Sequence, residues 1–288
     1  MAVIVGVHGI AQEQGGRHQL AAAWSPALAD GLERACGHKM IEPPVEMAFY
    51  GDLFGAAASE TKSAPSPAGP GSLFEDMSDD EVTAVVDAAG EILTVDELTA
   101  APESKAGFPR VPEPVLRVVA AMDRRFGARA GWLFVGEMRQ ARRYLTDPAV
   151  KQAVDERVAA AVDHEVRLLL GHSLGSVVAL EYLRQSPGHR VDTLVTLGSP
   201  LALRAVWSLL PDSSFGTGPG GLAGVRRWVN VRDPRDPVAL AGRLSGRWPS
   251  VHEEEVDNGR EPHAATRYLG KKATGQALVD ALPGLSGA

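Results

Sequence analysis

A serine hydroxyl attacks a carbonyl only when a base takes its proton, and the base works best when an acid holds its ring in place. One serine of this chain stands in a setting that suits such chemistry. Residues 166–180 read V-R-L-L-L-G-H-S-L-G-S-V-V-A-L. The apolar run of Val166, Leu168, Leu169 and Leu170 leads into Gly171-His172-Ser173-Leu174-Gly175, and a helix-like pattern leads out. Strand, G-x-S-x-G turn and helix is the layout of a nucleophile elbow. The sharp turn strains the serine backbone, so glycines flank it where strand and helix leave no room for side chains. It lifts Ser173 Oγ clear of the sheet and brings the Leu174 N–H beside the reaction centre. The pattern alone arises by chance about 0.2 times in a chain of this length, so the flanking elements must support it.

Elbow enzymes present their partners in the order serine, acid, base, and both partner types follow Ser173. A strand-like segment at 225–231, V-R-R-W-V-N-V, runs into Arg232-Asp233-Pro234-Arg235-Asp236-Pro237-Val238, which offers two acids. Asp233 leaves the strand directly and suits the capping of a turn with Pro234. Asp236 stands farther out, where a loop can aim it at a histidine, and is the favoured acid. For the base, only His252 and His263 follow in the chain. His252 lies among carboxylates in S-V-H-E-E-E-V and reads as a solvated surface residue. His263 precedes a helical segment after a turn-rich D-N-G-R-E-P stretch and is the favoured base. The expected oxyanion donors are the Leu174 N–H and the Ile10 N–H in Val7-His8-Gly9-Ile10, with His8 shaping that loop.

The other histidines carry less chemistry. His172 is expected to point away from the nucleophile, and His18, His38, His164 and His189 lack the spacing of metal ligands. Neither H-E-x-x-H nor C-x-x-C occurs, and the Gly-x-Gly pairs at 69–71 and 216–218 lack a preceding strand. No cofactor and no metal are expected.

The elements that must position these residues alternate between strand and helix. Strands are expected at 2–7, 45–49, 166–170, 192–197 and 225–231. Helices are expected at 18–36, 78–93 (opened by a capping box at Ser78 and Glu81), 115–126, 136–163 with a break at Pro148, and 264–282. Residues 131–135 suit either a short strand or the end of a helix. Segments 56–71 and 101–114 are rich in Pro, Gly, Ala or Ser and read as loops. The alternation implies an α/β fold, a mostly parallel central sheet with helices on both faces. Residues 55–114 are too long for an ordinary connection and read as a cap or lid inserted in a single domain spanning 1–288.

The chain has 288 residues, 44% of them hydrophobic and 23% charged, with a net charge of −7. That balance suits a soluble globular protein and gives no basic block for nucleic acid. The single cysteine, Cys36, excludes an internal disulfide and fits a reducing, cytoplasmic setting. The opening M-A-V-I-V-G-V lacks the basic start of a signal peptide, and no run approaches the roughly 18 apolar residues of a membrane span.

Taken together, V-H-G-I (7–10), G-H-S-L-G-S (171–176), T-L-G-S-P-L (196–201), N-V-R-D-P-R-D-P-V (230–238) and P-H-A-A-T-R-Y (262–268) resemble the α/β-hydrolase superfamily, in its esterase and lipase-like serine hydrolases. The resemblance implies that Ser173 attacks the carbonyl, His263 shuttles the proton and Asp236 orients the imidazole, with an acyl-enzyme as intermediate. It also places Gly198-Ser199-Pro200-Leu201 at a strand end beside the pocket. The expected substrate is a small molecule bearing a carboxylic ester or thioester. Acyl transfer or amide cleavage would use the same three residues, and a non-catalytic binding protein would keep the fold without turnover. The oligomeric state stays open.

Overall fold

The computed structural model describes residues 3–12, 15–54, 74, 77–100 and 111–287. Its centre is a sheet of six strands, all parallel, in the order β2-β1-β3-β4-β5-β6. The strands are β1 (Ile4–Val7), β2 (Val45–Ala48), β3 (Leu168–His172), β4 (Thr193–Leu197), β5 (Arg227–Arg232) and β6 (Val251–Glu255). β1, β3 and β4 are buried at every position. Their run of apolar and β-branched residues is what a sheet covered on both faces requires.

Side chains alternate across the sheet. Leu169 and Leu194 join one core, while Leu168, Leu170 and Val195 join the other. The second core lies against α1 (Arg17–Cys36), α9 (Ala265–Leu269) and α10 (Lys272–Ala281), through Trp24, Leu28, Leu32, Tyr268, Leu269 and Leu278. The first core lies against the helices between β2 and β3 and against α7 (Leu174–Gln185).

The connection from β2 to β3 carries α2 (Asp79–Gly90), α3 (Val95–Thr99), α4 (Glu113–Phe126), α5 (Ala130–Thr146) and α6 (Pro148–Ala161). The Ser78 hydroxyl accepts from the Glu81 N–H and the Glu81 carboxylate accepts from the Ser78 N–H, so α2 opens with the expected capping box. Asp147 caps α6 by accepting from the Ala149 and Val150 N–H groups, with Pro148 at the first helical position, which separates α5 from α6. Residues 131–135 lie inside α5. Phe134, Val135, Met138, Ala141 and Leu145 extend the buried face of that helix, and this longer period overrides a strand reading. A short helix, α8 (Arg204–Trp207), follows β4. The acidic stretch S-V-H-E-E-E-V contains β6 at the sheet edge, where Val251 is buried and His252 and Glu255 are exposed. The expected loop at 56–71 and residues 101–110 of the one expected at 101–114 lie outside the described residues, while α4 takes in Glu113 and Pro114 at the end of the latter. Among the described residues no helix is long and apolar enough to cross a membrane.

Candidate active site

Parallel strands collect their following loops at one edge, and ligands of such sheets bind there. Ile10 follows β1, Ser173 follows β3, Gly198 follows β4, and Asp233 and Asp236 follow β5. His263 sits in the loop before α9.

Ser173 has φ 56° and ψ −128°, a conformation that costs a non-glycine residue roughly 1–3 kcal/mol. The flanking positions explain why it is held. A Cβ on Gly171 would lie 2.7 Å from the Gly175 carbonyl oxygen, and one on Gly175 would collide with the Val7 carbonyl. Gly9 also packs directly on Ser173, because a Cβ there would come within 2.6 Å of the serine Cβ. The expected oxyanion loop therefore lies against the nucleophile candidate.

Ser173 Oγ stands 2.9 Å from His263 Nε2, and His263 Nδ1 stands 2.8 Å and 2.9 Å from the two Asp236 carboxylate oxygens. Ser173 and Asp236 are fully buried, and the His263 side chain is 10% exposed. Burial disfavours the charged imidazole, but the Asp236 charge and hydrogen bond, joined by the Glu137 charge, outweigh it and raise the His263 pKa. Asp236 is fixed by two further donors, the Val238 N–H at 2.9 Å and the Tyr268 hydroxyl at 2.7 Å. Burial and then the Asp236 charge hold the Tyr268 phenol protonated, so it remains a donor.

Asp233 is also fully buried, but its partners are backbone N–H groups and the Arg235 guanidinium, 3.5 Å away. It accepts from the Arg235 N–H at 2.8 Å and the Asn258 N–H at 2.5 Å. Asn258 in turn donates to the Pro262 carbonyl at 2.9 Å, so Asp233 braces the loop that delivers His263. His252 lies on the edge strand β6 with an exposed ring against Glu254.

His8 donates from Nδ1 to the Gly9 carbonyl at 2.7 Å and accepts the Tyr50 N–H on Nε2 at 3.1 Å, while the Tyr50 hydroxyl donates to the His8 carbonyl. Burial lowers its pKa to about 4, so it shapes the loop as a neutral ring. His172 differs from expectation. Its ring does not point away from the site but packs on His263, with centroids 4.7 Å apart, and its Nε2–H donates to the His263 carbonyl at 2.8 Å. Burial, aided by the nearby His263 charge, lowers its pKa well below the usual value and keeps it neutral. The reason is that the His263 loop folds back over the end of β3, which local sequence does not disclose. Gly198, with φ +54°, lies at the end of β4, where a Cβ would come within 2.6 Å of Asp236 Oδ2.

One polar residue at the site has no counterpart in the sequence reading. Glu137 of α5 is fully buried, and its Oε2 accepts the Ser173 hydroxyl at 2.5 Å. The carboxylate also lies beside the Leu174 N–H, whose dipole favours its charged form, while Oε1 is buried without a hydrogen-bond partner. Burial raises its pKa to about 7 against the opposing pull of His263, Ser173 and Leu174. A carboxylate on the same helical face as Phe134, Met138 and Ala141 is the signal that could have found it.

The arrangement can move a proton from Ser173 Oγ to His263 with Asp236 stabilising the resulting imidazolium, which is the requirement for a serine nucleophile. Among the described residues no group of three or more His, Cys, Asp or Glu side chains could hold a metal ion. Neither the family models, nor the curated proteins, nor the solved structures compared with this chain match it.

Proposed function

We propose that this protein is a serine hydrolase of the α/β-hydrolase type that cleaves a carboxylic ester or thioester through an acyl-enzyme on Ser173. The observation that carries the reading is the unbroken hydrogen-bonded path from Asp236 through His263 to Ser173, ending on a strained turn between β3 and α7. In the proposed cycle Ser173 Oγ bonds to the carbonyl carbon and its proton passes to His263 Nε2. The negative charge collects on the carbonyl oxygen, which the Leu174 N–H and the Ile10 N–H stabilise. Collapse breaks the bond to the leaving alcohol or thiol, which takes the proton from His263. Water then gives a proton to His263 as its oxygen bonds to the acyl carbon, and collapse breaks the bond to Ser173 Oγ, which takes that proton back from His263 and frees the acid.

The insertion at 55–114 is the cap in this reading: its helix α2 is tied by the Glu81–Arg139 ion pair to α5, and α5 carries Glu137 to Ser173. A fluorophosphonate probe tests the reading: the serine oxygen displaces fluoride from phosphorus, giving one stable adduct per chain. Labelling of the wild type that disappears in Ser173→Ala is expected, and equal labelling of both would refute it. A series of nitrophenyl esters and acyl thioesters of increasing chain length then defines the acyl group. Activity toward thioesters and esters but not anilides is the expected pattern.

A further inference from the structure

We propose that Glu137 is a further residue of the reaction centre, a carboxylate that occupies the oxyanion site in the resting protein and must leave it before a substrate carbonyl can enter. This rests on reading Ser173 as the nucleophile. An attacked carbonyl must set its carbon against Ser173 Oγ and its oxygen against the Leu174 N–H. Glu137 already occupies this space, with Oε2 at 2.5 Å from Oγ and its carboxylate close enough to the Leu174 N–H for that dipole to stabilise its charge. The same space cannot hold both.

Proton placement points the same way. A serine hydroxyl has one proton and here faces two acceptors, Glu137 Oε2 and His263 Nε2. While Glu137 is ionised it takes that proton in a short charge-assisted bond, so the Nε2 side of His263 meets Oγ as a donor, in its protonated form. A protonated imidazole cannot serve as the base. An ionised carboxylate also opposes the negative charge that must develop beside it. Once Glu137 binds a proton it can donate to Oγ instead, and the serine proton then turns toward a neutral His263.

The surroundings make this exchange sensitive to pH. Glu137 faces His263 from the loop before α9, Asp236 from the loop after β5, Ser173 and the Leu174 N–H from the turn between β3 and α7, and Tyr50 from the segment after β2. Its unpartnered Oε1 shows that the pocket does not fully solvate the charge, and burial brings its protonation to about pH 7. The helix that carries it is braced on the outside by the Arg139–Glu81 ion pair to α2 at 2.9 Å, and Gly136 lets it approach the Ile10 side chain.

The test compares fluorophosphonate labelling rates of the wild type, Glu137→Gln and Glu137→Ala between about pH 5.5 and about pH 8.5, bracketing the Glu137 transition. Thermal melts establish the native fraction of each variant. At the upper pH, Glu137→Gln should label about tenfold faster than the wild type, the advantage expected when a charge-assisted competitor becomes neutral. Glu137→Ala, which empties the site, should be at least as fast. The ratio should shrink toward one at the lower pH, and the acid limb of the variants should move to lower pH because His263 loses a neighbouring negative charge. Equal or slower labelling by both variants at the upper pH, with Ser173→Ala still silent, overturns this proposal alone, as does a ratio that ignores pH. Labelling that survives Ser173→Ala overturns the hydrolase reading instead.

Discussion

Replacing Glu137 by glutamine should change the pH dependence of stability as well as reactivity, and the size of the effect follows from burial. The Glu137 carboxyl has a pKa of about 7 in the folded protein against an ordinary value of 4.5. A raised acid contributes stability that is fully present below the unfolded value and is lost as pH rises through the folded one. Each unit of difference corresponds to about 1.4 kcal/mol, so the full loss approaches roughly 3 kcal/mol, and the part falling between about pH 5 and pH 8 is roughly 2.5 kcal/mol. Glutamine keeps the shape without the charge. Its amide N–H groups meet a pocket built for acceptors, which can cost about 1–3 kcal/mol, but that cost is the same at both pH values. The measurement is therefore a difference of differences: urea unfolding of wild type and Glu137→Gln at each pH. Relative to wild type, the variant should gain about 2.5 kcal/mol on going from the lower to the higher pH. A chain of this length unfolds with an entropy of roughly 0.6 kcal/mol per kelvin, so the melting temperature should shift by about 4 °C in the same sense. A variant whose stability difference from wild type is equal at the two pH values would refute the reasoning, because it would mean that Glu137 titrates as it does in water.

Asp236→Asn should lower kcat by about 10⁴ with little change in substrate binding, since the imidazole loses its tautomer and its counter-charge. Asp233→Asn should instead cost about 1–3 kcal/mol of stability, because its oxygens hold the Arg235 and Asn258 N–H groups, with less than about tenfold loss in kcat; steady-state kinetics showing the larger rate loss at Asp233 would reassign the acid. Tyr268→Phe removes the donor to Asp236 and the acceptor of the buried Asp233 N–H, so urea unfolding should show a loss of about 2 kcal/mol together with reduced kcat/KM. Gly175→Ala should leave little native protein by circular dichroism, because its Cβ has no space beside the Val7 carbonyl.

Much of the architecture was legible because its signals are local. Short runs rich in apolar and β-branched residues marked β1, β3, β4 and β5, and the Ser78–Glu81 pair marked the start of α2. The elbow was legible for the same reason, since strand, turn and helix are contiguous there. Boundaries moved by about two residues at β3, where the strand runs on through Gly171 and His172. Residues 131–135 were ambiguous because five residues are too few to separate one helical turn from a strand. Only the continuation through Phe134, Met138, Ala141 and Leu145 decided for helix.

By itself the sequence determined that the chain alternates strand and helix, that Ser173 stands on a glycine-flanked turn, and that acids and histidines follow it in an order suited to proton transfer. These properties depend on neighbours a few residues apart. Which of Asp233 and Asp236 meets His263, why His172 packs on that ring, and that Glu137 reaches Ser173 Oγ across 36 positions of chain were decided only by tertiary structure. The parallel sheet is the physical reason. It gathers loops from distant parts of the chain at one edge, and the helices laid over that edge bury a carboxylate whose charge and proton depend on what surrounds it rather than on its place in the sequence.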